Sequence, residues 1–273
     1  DKIGEINPTA LQYQAPDRRP DPTLGPDVNP NLSVQDAYVK EDAVGGTTIA
    51  ITATPNNSNE KITITISGID NSWKVDMSTS GGTYDSATGT WTITLNPGQS
   101  FGSTPTFFPP KDSDEDLTGL TITSTVTNVV TGQTVTVTTT ANIFVDAVAD
   151  VPNLTAGKAN GDEDTAIPLN ISTSVSDTDG SETIKSVVIQ GVPADATLSA
   201  GTKLPSGDWL LDTSDLPGLT ITPGLHFSGS FNLTIVSTSQ EGVTPGDGNN
   251  EQYFSDNEAS ATATITVTVK PVA

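Results

Sequence analysis

The stretch that decides the fold runs from Val145 to Glu182 and reads VDAVADVPNLTAGKANGDEDTAIPLNISTSVSDTDGSE. It begins where one run of alternating apolar and polar residues ends, crosses a short connector of Ala, Val and Pro, and leads into a second such run. Acidic residues are concentrated on both sides of the connector. We therefore interpret this stretch as a joint between two β-domains.

The alternation on either side of the joint predicts strands. Residues 61–66 read KITITI, which places isoleucines on one face of a strand and threonines on the other. Residues 261–269 read ATATITVTV and separate Ala, Ile and Val from Thr in the same way. A period of two is typical of a half-buried strand. No segment of ten or more residues shows a helical period, so an all-β chain is expected.

The remaining strands and the domain limits follow from the same pattern. Further strands are predicted at 91–95, 120–127, 135–145, 184–189, 209–211, 219–221 and 231–236. Short strands separated by turn residues favour a sandwich or barrel, and 273 residues suit two domains. We place them at 34–148 and 149–273, after an extended proline-rich lead-in at 1–33, for which a disordered tail is the alternative.

The two predicted domains also resemble each other. Glu41-Asp42 precedes Glu60 by the same spacing with which Glu163-Asp164 precedes Glu182. A tryptophan follows at a similar distance in both halves, and both halves close on a long alternating strand. Tandem repeats of one sandwich are therefore expected.

The composition of the chain limits which kinds of partner and site are expected. The chain has 33 Asp and Glu against 11 Lys and Arg, a net charge of -22, which argues against nucleic acid because that partner requires a basic face. The absence of cysteine excludes disulfides, thiolate metal sites and a cysteine nucleophile. No apolar run approaches the roughly 20 residues that span a bilayer, so membrane insertion is not expected. No signal peptide opens the chain, so either secretion uses a signal outside it or the protein stays inside the cell.

The acids of the joint are candidate ligands for a metal ion. Carboxylates crowded at one place repel each other unless a cation lies among them, and Ca2+ takes roughly 6–8 oxygen ligands at about 2.3–2.6 Å. The candidates are Asp146, Asp150, Glu163, Asp164, Asp177, Asp179 and Glu182. A solvated acidic turn is the alternative for residues 177–182 alone. Taken together, these acids predict Ca2+ as the bound cofactor.

Three other regions carry polar side chains of interest. In the first domain, Pro55 and Asn57 stand where the second has Asp177 and Asp179, so that part of the first domain is expected to bind calcium weakly or not at all. A cluster of acids, Asp112, Asp114 and Asp116, either holds a further calcium ion or forms a solvated loop. The acidic insertion at 241–258 is either a ligand-recognition loop or an ordinary surface insertion.

Nothing in the sequence indicates an enzyme. His226 is the single histidine, and no nucleophile motif accompanies it. Trp91 and Trp209 lie in strand patterns and are expected in the core rather than as sugar-stacking platforms.

Four motifs resemble a known family. They are EDT at 163–165, SDTDGSE at 176–182, GVPADATLSAG at 191–201 and FSGSFNLTIV at 227–236. In this order they are similar to the tandem cadherin-like or Ig-like modules of very large bacterial RTX adhesins. The resemblance is strong over 151–273 and looser over 34–150. It implies calcium-rigidified sandwiches strung end to end on the outside of a Gram-negative cell, serving cell adhesion and biofilm formation.

The resemblance also implies partners and ligands. The seven acids named above would be the ligands of the joint, and the partners would be calcium ions and neighbouring domains of the same adhesin. A monomer, secreted to the bacterial cell surface, is expected. The alternative is a ligand-binding domain of the same adhesin that recognises a host or surface glycan or peptide. An accessory domain of a carbohydrate-active enzyme is a more distant third.

Overall fold

The structure is a computed structural model that describes residues 31–177, 180–242 and 257–273. The predicted lead-in up to residue 30 and the insertion from 243 to 256 lie outside the described residues. The one helix in the described part is a short 3-10 turn at Thr213–Asp215. Within these ranges no helix has the length and apolar character to cross a membrane.

The described residues of the first half, from 31 onward, form ten strands. They are β1 (Asn31–Gln35), β2 (Ala37–Lys40), β3 (Ala50–Thr54), β4 (Glu60–Ser67), β5 (Lys74–Asp76), β6 (Thr83–Asp85), β7 (Thr90–Thr94), β8 (Thr106–Phe108), β9 (Leu117–Asn128) and β10 (Thr134–Asp146). Each strand predicted from the alternating pattern in this half is present.

In the second half, the parts of the chain that the structure describes form eleven strands. They are β11 (Asn153–Ala156), β12 (Ala159–Asp162), β13 (Ile167–Pro168), β14 (Ile171–Ser174), β15 (Thr183–Gln190), β16 (Thr197–Leu198), β17 (Thr202–Lys203), β18 (Trp209–Leu211), β19 (Thr220–Thr222), β20 (Gly229–Gln240) and β21 (Glu258–Lys270).

The first domain is a sandwich built on a six-stranded sheet with the order β2-β10-β9-β4-β7-β6. Its pairings are antiparallel except for β2 with β10, which are parallel. Two strand pairs, β1-β3 and β5-β8, supply the facing layer. Ala53 and Phe107 of that layer share one core with Ile64 and Trp91 of the large sheet.

The second domain repeats this arrangement. Its large sheet has the order β12-β21-β20-β15-β18-β17, again with one parallel pair, β12 with β21. The facing strands are β11-β14 and β13-β19-β16. Ile171 and Ile221 of those strands share a second core with Ile189 and Val267 of the large sheet. The large sheets of the two halves therefore match strand for strand, and the expected all-β fold of two tandem sandwiches is confirmed.

The alternating pattern determines which face of each strand is buried. In β4 the burial alternates along the whole strand, and Ile62, Ile64 and Ile66 have no exposed surface. The threonines of the same strand point outward, where Thr63 Oγ1 lies 3.0 Å from Thr94 Oγ1. All three tryptophans are buried, so they belong to the cores and not to a sugar-binding surface.

The directions of the strands determine which strand ends lie at the junction of the two domains. β10 ends at Asp146, and β15 begins where β20 ends, since Thr183 pairs with Gln240. We call the connector 147–152, with the strand ends and loops beside it, the joint. β21 runs away from the joint; with 13 residues at about 3.3 Å each, it carries Lys270 about 40 Å from its start.

A core substitution tests the first sandwich. Ile64→Ala should lower the free energy of unfolding of the first domain by about 2–5 kcal/mol, because it leaves a cavity in a fully buried position. Thr63→Ala, one residue away on the solvent face, should cost less than about 1 kcal/mol. Urea unfolding followed by tryptophan fluorescence measures both, and equal losses would contradict the assignment of the two faces.

Candidate functional site at the joint

The connector is held by side chains from both domains. The backbone N–H of Val148 donates to the carboxylate of Glu41 in the first domain. The N–H of Asp150 donates to Glu182 Oε1 of the second domain at 2.7 Å. The carbonyl of Asp150 accepts a hydrogen bond from Ser239 Oγ. Carboxylates from either side therefore fix the path of the chain between the sandwiches.

Local backbone geometry directs the first domain's acids to the joint. Glu41 directly follows β2, and its N–H donates to the carbonyl of Asp146 at the end of β10 at 3.0 Å. Asp42 has a φ of 53°, the left-handed region that Asp and Asn tolerate better than most residues. Its carboxylate accepts the N–H of Asp112 at 3.0 Å. The chain thus turns sharply after the strand and presents two successive acids.

Three buried carboxylates meet inside the joint. We call Glu41, Asp177 and Glu241 the inner triplet, because all three are buried and one oxygen of each lies within 4.8 Å of the others. Glu41 comes from the first domain, and the other two come from the second. Oxygens on opposite sides of one Ca2+ are roughly 4.6–5.2 Å apart. The inner triplet therefore has a spacing that suits a cation shared by both domains.

A second group lies nearer the solvent. We call Asp42, Asp112 and Asp150 the surface triplet; its carboxylate oxygens also lie within 4.8 Å of one another. Lys111 forms an ion pair with Asp112. That hydrogen bond, together with the charges of the three triplet acids, raises the pKa of Lys111. An ammonium group of the chain itself therefore sits beside the surface triplet and would repel an incoming cation.

Glu182 is buried at the joint, and described residues donate to only one of its two carboxylate oxygens. Its side chain is 5% exposed, and Oε1 accepts the N–H of Asp150. No described residue donates a hydrogen bond to Oε2, although that atom is buried. Burying an ionised oxygen without a donor is costly. A metal ion would supply the partner that the described residues do not.

The chemistry of the whole set points to a hard cation. Six acids are buried at the joint: Glu41, Asp112, Asp146, Asp177, Glu182 and Glu241. All offer carboxylate oxygens, the ligands that calcium and magnesium prefer, while thiolates and imidazoles suit zinc and copper. The chain has no cysteine, and His226 lies at the opposite end of the second domain. The donor set therefore fits Ca2+ better than a transition metal.

The structure brings together four of the seven residues predicted from the sequence. Asp146, Asp150, Asp177 and Glu182 lie at the joint. Asp179 lies outside the described residues.

Glu163 and Asp164 require a correction. Glu163 follows β12, and its N–H donates to the carbonyl of Lys270 at 2.8 Å. Because β12 runs parallel to β21, both acids lie at the far end of the second domain, on the order of 40 Å from the joint. The same strand direction in the first domain brings their counterparts, Glu41 and Asp42, to the joint.

Sequence reasoning missed four acids at the joint: Glu41, Asp42, Asp112 and Glu241. The repeat spacing already paired the first two with Glu163-Asp164, and the direction of the parallel strand would have selected the correct copy. Asp112 groups with Asp42 rather than with Asp114 and Asp116. Asp116 instead accepts the N–H of Val145 at 2.8 Å.

No protein-family model matches the chain, and none of the curated proteins does. Among solved structures, Drosophila N-cadherin EC1-4 is 14% identical, with a TM-score of 0.37, over 88% of this chain and 49% of that one, so the chain spans about half of its length. Rst D1-D2 is 12% identical, with a TM-score of 0.30, over 89% of this chain and 100% of that one. Chicken VE-cadherin EC1-2 is 12% identical, with a TM-score of 0.26, over 85% and 96%. No functional conclusion follows from likenesses this distant.

Replacing one buried carboxylate tests the electrostatics of the joint. Glu182→Gln keeps an acceptor for the N–H of Asp150 and puts an N–H2 donor among the remaining acids. Without metal it should raise the free energy of unfolding by about 1 kcal/mol. Urea unfolding in excess chelator measures this. A lower stability than the wild type would contradict the view that uncompensated negative charge strains the joint.

Proposed function

We propose that this chain is a calcium-rigidified structural module of a bacterial cell-surface RTX adhesin, serving cell adhesion and biofilm formation. The inner triplet carries the proposal, because three buried carboxylates from two domains converge to the spacing of one cation. A buried group of like charges with no catalytic histidine or cysteine beside it suits a structural ion better than a catalytic one.

The mechanism is electrostatic. Two unit charges 4 Å apart repel each other by about 4 kcal/mol at an effective dielectric constant of about 20. Buried acids crowded at one joint therefore favour separation of the domains when no metal ion lies among them. Bound calcium supplies positive charge at the joint. Glu41 on one side, and Asp177 and Glu241 on the other, would then hold the same ion and fix the angle between the sandwiches.

The remaining acids would complete the coordination. Asp42, Asp112 and Asp150 would hold a second ion that links the first domain to the connector. Asp146 and Glu182 lie beside the two triplets and can supply further oxygens, and Glu182 already fixes the connector. Oxygens from both domains and from the chain between them would thus be tied together.

The cellular setting completes the proposal. Binding of Ca2+ by extracellular modules is typically weak, with Kd of about 10⁻⁴–10⁻³ M, which suits a joint saturated only outside the cell. The sequence motifs at 163–165, 176–182, 191–201 and 227–236 support assignment to RTX adhesins. The module would work as a monomer, and its partners would be calcium ions and neighbouring modules of the same adhesin.

Removal of calcium should loosen the joint. We expect excess chelator to lower the Tm and to increase the radius of gyration in small-angle scattering, because the positive charge of the ion no longer offsets the repulsion among the acids. The double variant Glu41→Gln/Glu241→Gln should show a much smaller response to calcium, whereas Glu115→Gln, an exposed neighbour outside both triplets, should respond like the wild type. Identical scattering and Tm with and without calcium would contradict the proposal.

Lys111 should act as a competitor for the surface triplet. Lys111→Met removes the ammonium beside Asp112, so calcium should bind that triplet several-fold more tightly, with the gain largest at low ionic strength. Lys203→Met, which removes an exposed lysine elsewhere, is the control. Isothermal titration calorimetry at two salt concentrations measures the change, and weaker binding by Lys111→Met would contradict a repulsive role.

A further inference from the structure

The two outer ends of the molecule repeat the two halves of the joint with different side chains. The outer end of the first domain lies where β4 begins and β9 ends, and it corresponds to the second domain's side of the joint. The outer end of the second domain lies where β12 and β21 end, and it corresponds to the first domain's side. The chain therefore offers internal comparisons for both sides of the proposed metal site.

Backbone hydrogen bonds identify the counterparts at the outer end of the first domain. The N–H of Val129 donates to the carbonyl of Asn59 at 2.9 Å, and the N–H of Gly242 donates to the carbonyl of Ser181 at 3.1 Å. The two donors therefore occupy equivalent positions in the two domains, and so do the two acceptors. The residues directly before the donors then correspond to each other, as do the residues directly after the acceptors. Asn128 accordingly stands for Glu241, and Glu60 stands for Glu182.

Amides compensate the acid at this end. Glu60 is completely buried. Its Oε2 accepts the N–H of Asn56 at 2.6 Å, and its Oε1 accepts from Asn57 Nδ2 at 3.0 Å. Asn128 Oδ1 accepts the N–H groups of the two residues at 130 and 131. Both oxygens of Glu60 thus have donors, whereas Oε2 of Glu182 has none among the described residues.

The backbone at the outer end of the second domain repeats the backbone on the first domain's side of the joint. The N–H of Glu163 donates to the carbonyl of Lys270, and the N–H of His226 donates to Asp164 Oδ1 at 2.7 Å. Asp164 and His226 have φ values of 58° and 58°. The counterparts, with the same hydrogen bonds and similar φ values, are Glu41, Asp42, Asp112 and Asp146.

Two basic side chains replace two acids at this end. Lys270 stands for Asp146, and His226 stands for Asp112. The imidazole Nδ1 of His226 lies 3.2 Å from Asp164 Oδ2. Glu163 Oε1 accepts the N–H of Val272 at 2.9 Å. The set of four carboxylates on the first domain's side of the joint is thereby reduced to two, with an imidazole directly against one of them.

We propose that the side chains at both outer ends make a calcium ion unnecessary: amides donate to the buried acid at the first domain, and Lys270 and His226 replace two of the four acids at the second. Among the residues that the structure describes, calcium is then held at the joint and at neither outer end. The proposal rests on the proposed function for the joint, but it makes a separate statement about the ends. Removal of calcium would loosen one hinge, and any contact that another module made through either outer end would not need calcium.

Counting bound ions tests the location. Native mass spectrometry of the whole chain titrated with Ca2+ should give the same number of ions for the wild type and for Glu163→Gln/Asp164→Asn. The matched variant at the joint, Glu41→Gln/Asp42→Asn, should lose at least one ion. Loss of an ion by the variant at the outer end would overturn the proposal.

A second experiment measures the Tm in excess chelator. It tests whether amides stabilise the buried Glu60, and it does not depend on calcium at the joint. Asn57→Asp replaces the donor to Glu60 with a carboxylate of the same shape, so its Tm should fall below that of the wild type. Asn59→Asp adds the same charge at an exposed position in the same turn and should leave the Tm nearly unchanged. Equal Tm values for Asn57→Asp and the wild type would overturn the proposal. Should the wild type bind no calcium while Asn57→Asp is destabilised, the proposed function fails, and the compensation of Glu60 by amides stands.

Discussion

The burial of like charges where the two sandwiches meet is the constraint on which the rest of the structure depends. Each domain has its own core and its own large sheet, so neither needs the other in order to bury apolar surface. What the domains share is a connector hydrogen-bonded to Glu41 on one side and to Glu182 on the other. A cation gathered by those acids would convert mutual repulsion into the contact that sets the angle between the domains.

The internal repeat explains how one chain can carry such a joint at a single place. The turns of the first domain's side of the joint recur at the outer end of the second domain: positive φ at Asp42 and Asp112 is matched at Asp164 and His226. The fold therefore repeats the backbone of each side of the joint at an outer end, and only the side chains differ between the joint and these ends. Exchanging a few acids for amides or basic groups leaves the backbone as it is and changes the electrostatics.

Features that depend on neighbouring residues, such as strands, could be predicted from the sequence. The position of acids that depends on strand direction could not. Strands such as β4 and β21 could be located because alternation over successive residues is written in the chain itself. Asp146 and Asp150 could be assigned because they flank the connector. Glu163 was placed at the wrong end, because only the parallel pairing of β12 with β21 shows where that turn lies. Glu241 was not singled out, because its partners come from elements distant in the chain.

The central claim is that a divalent cation is shared by carboxylates of both domains at the joint. The most direct measurement is an anomalous difference map from a crystal grown with calcium, collected at a wavelength where calcium scatters anomalously. We expect a peak bounded by Glu41, Asp177 and Glu241 and a second one at Asp42, Asp112 and Asp150. A well-ordered joint at the same calcium concentration, with these acids in place and no peak among them, would contradict it.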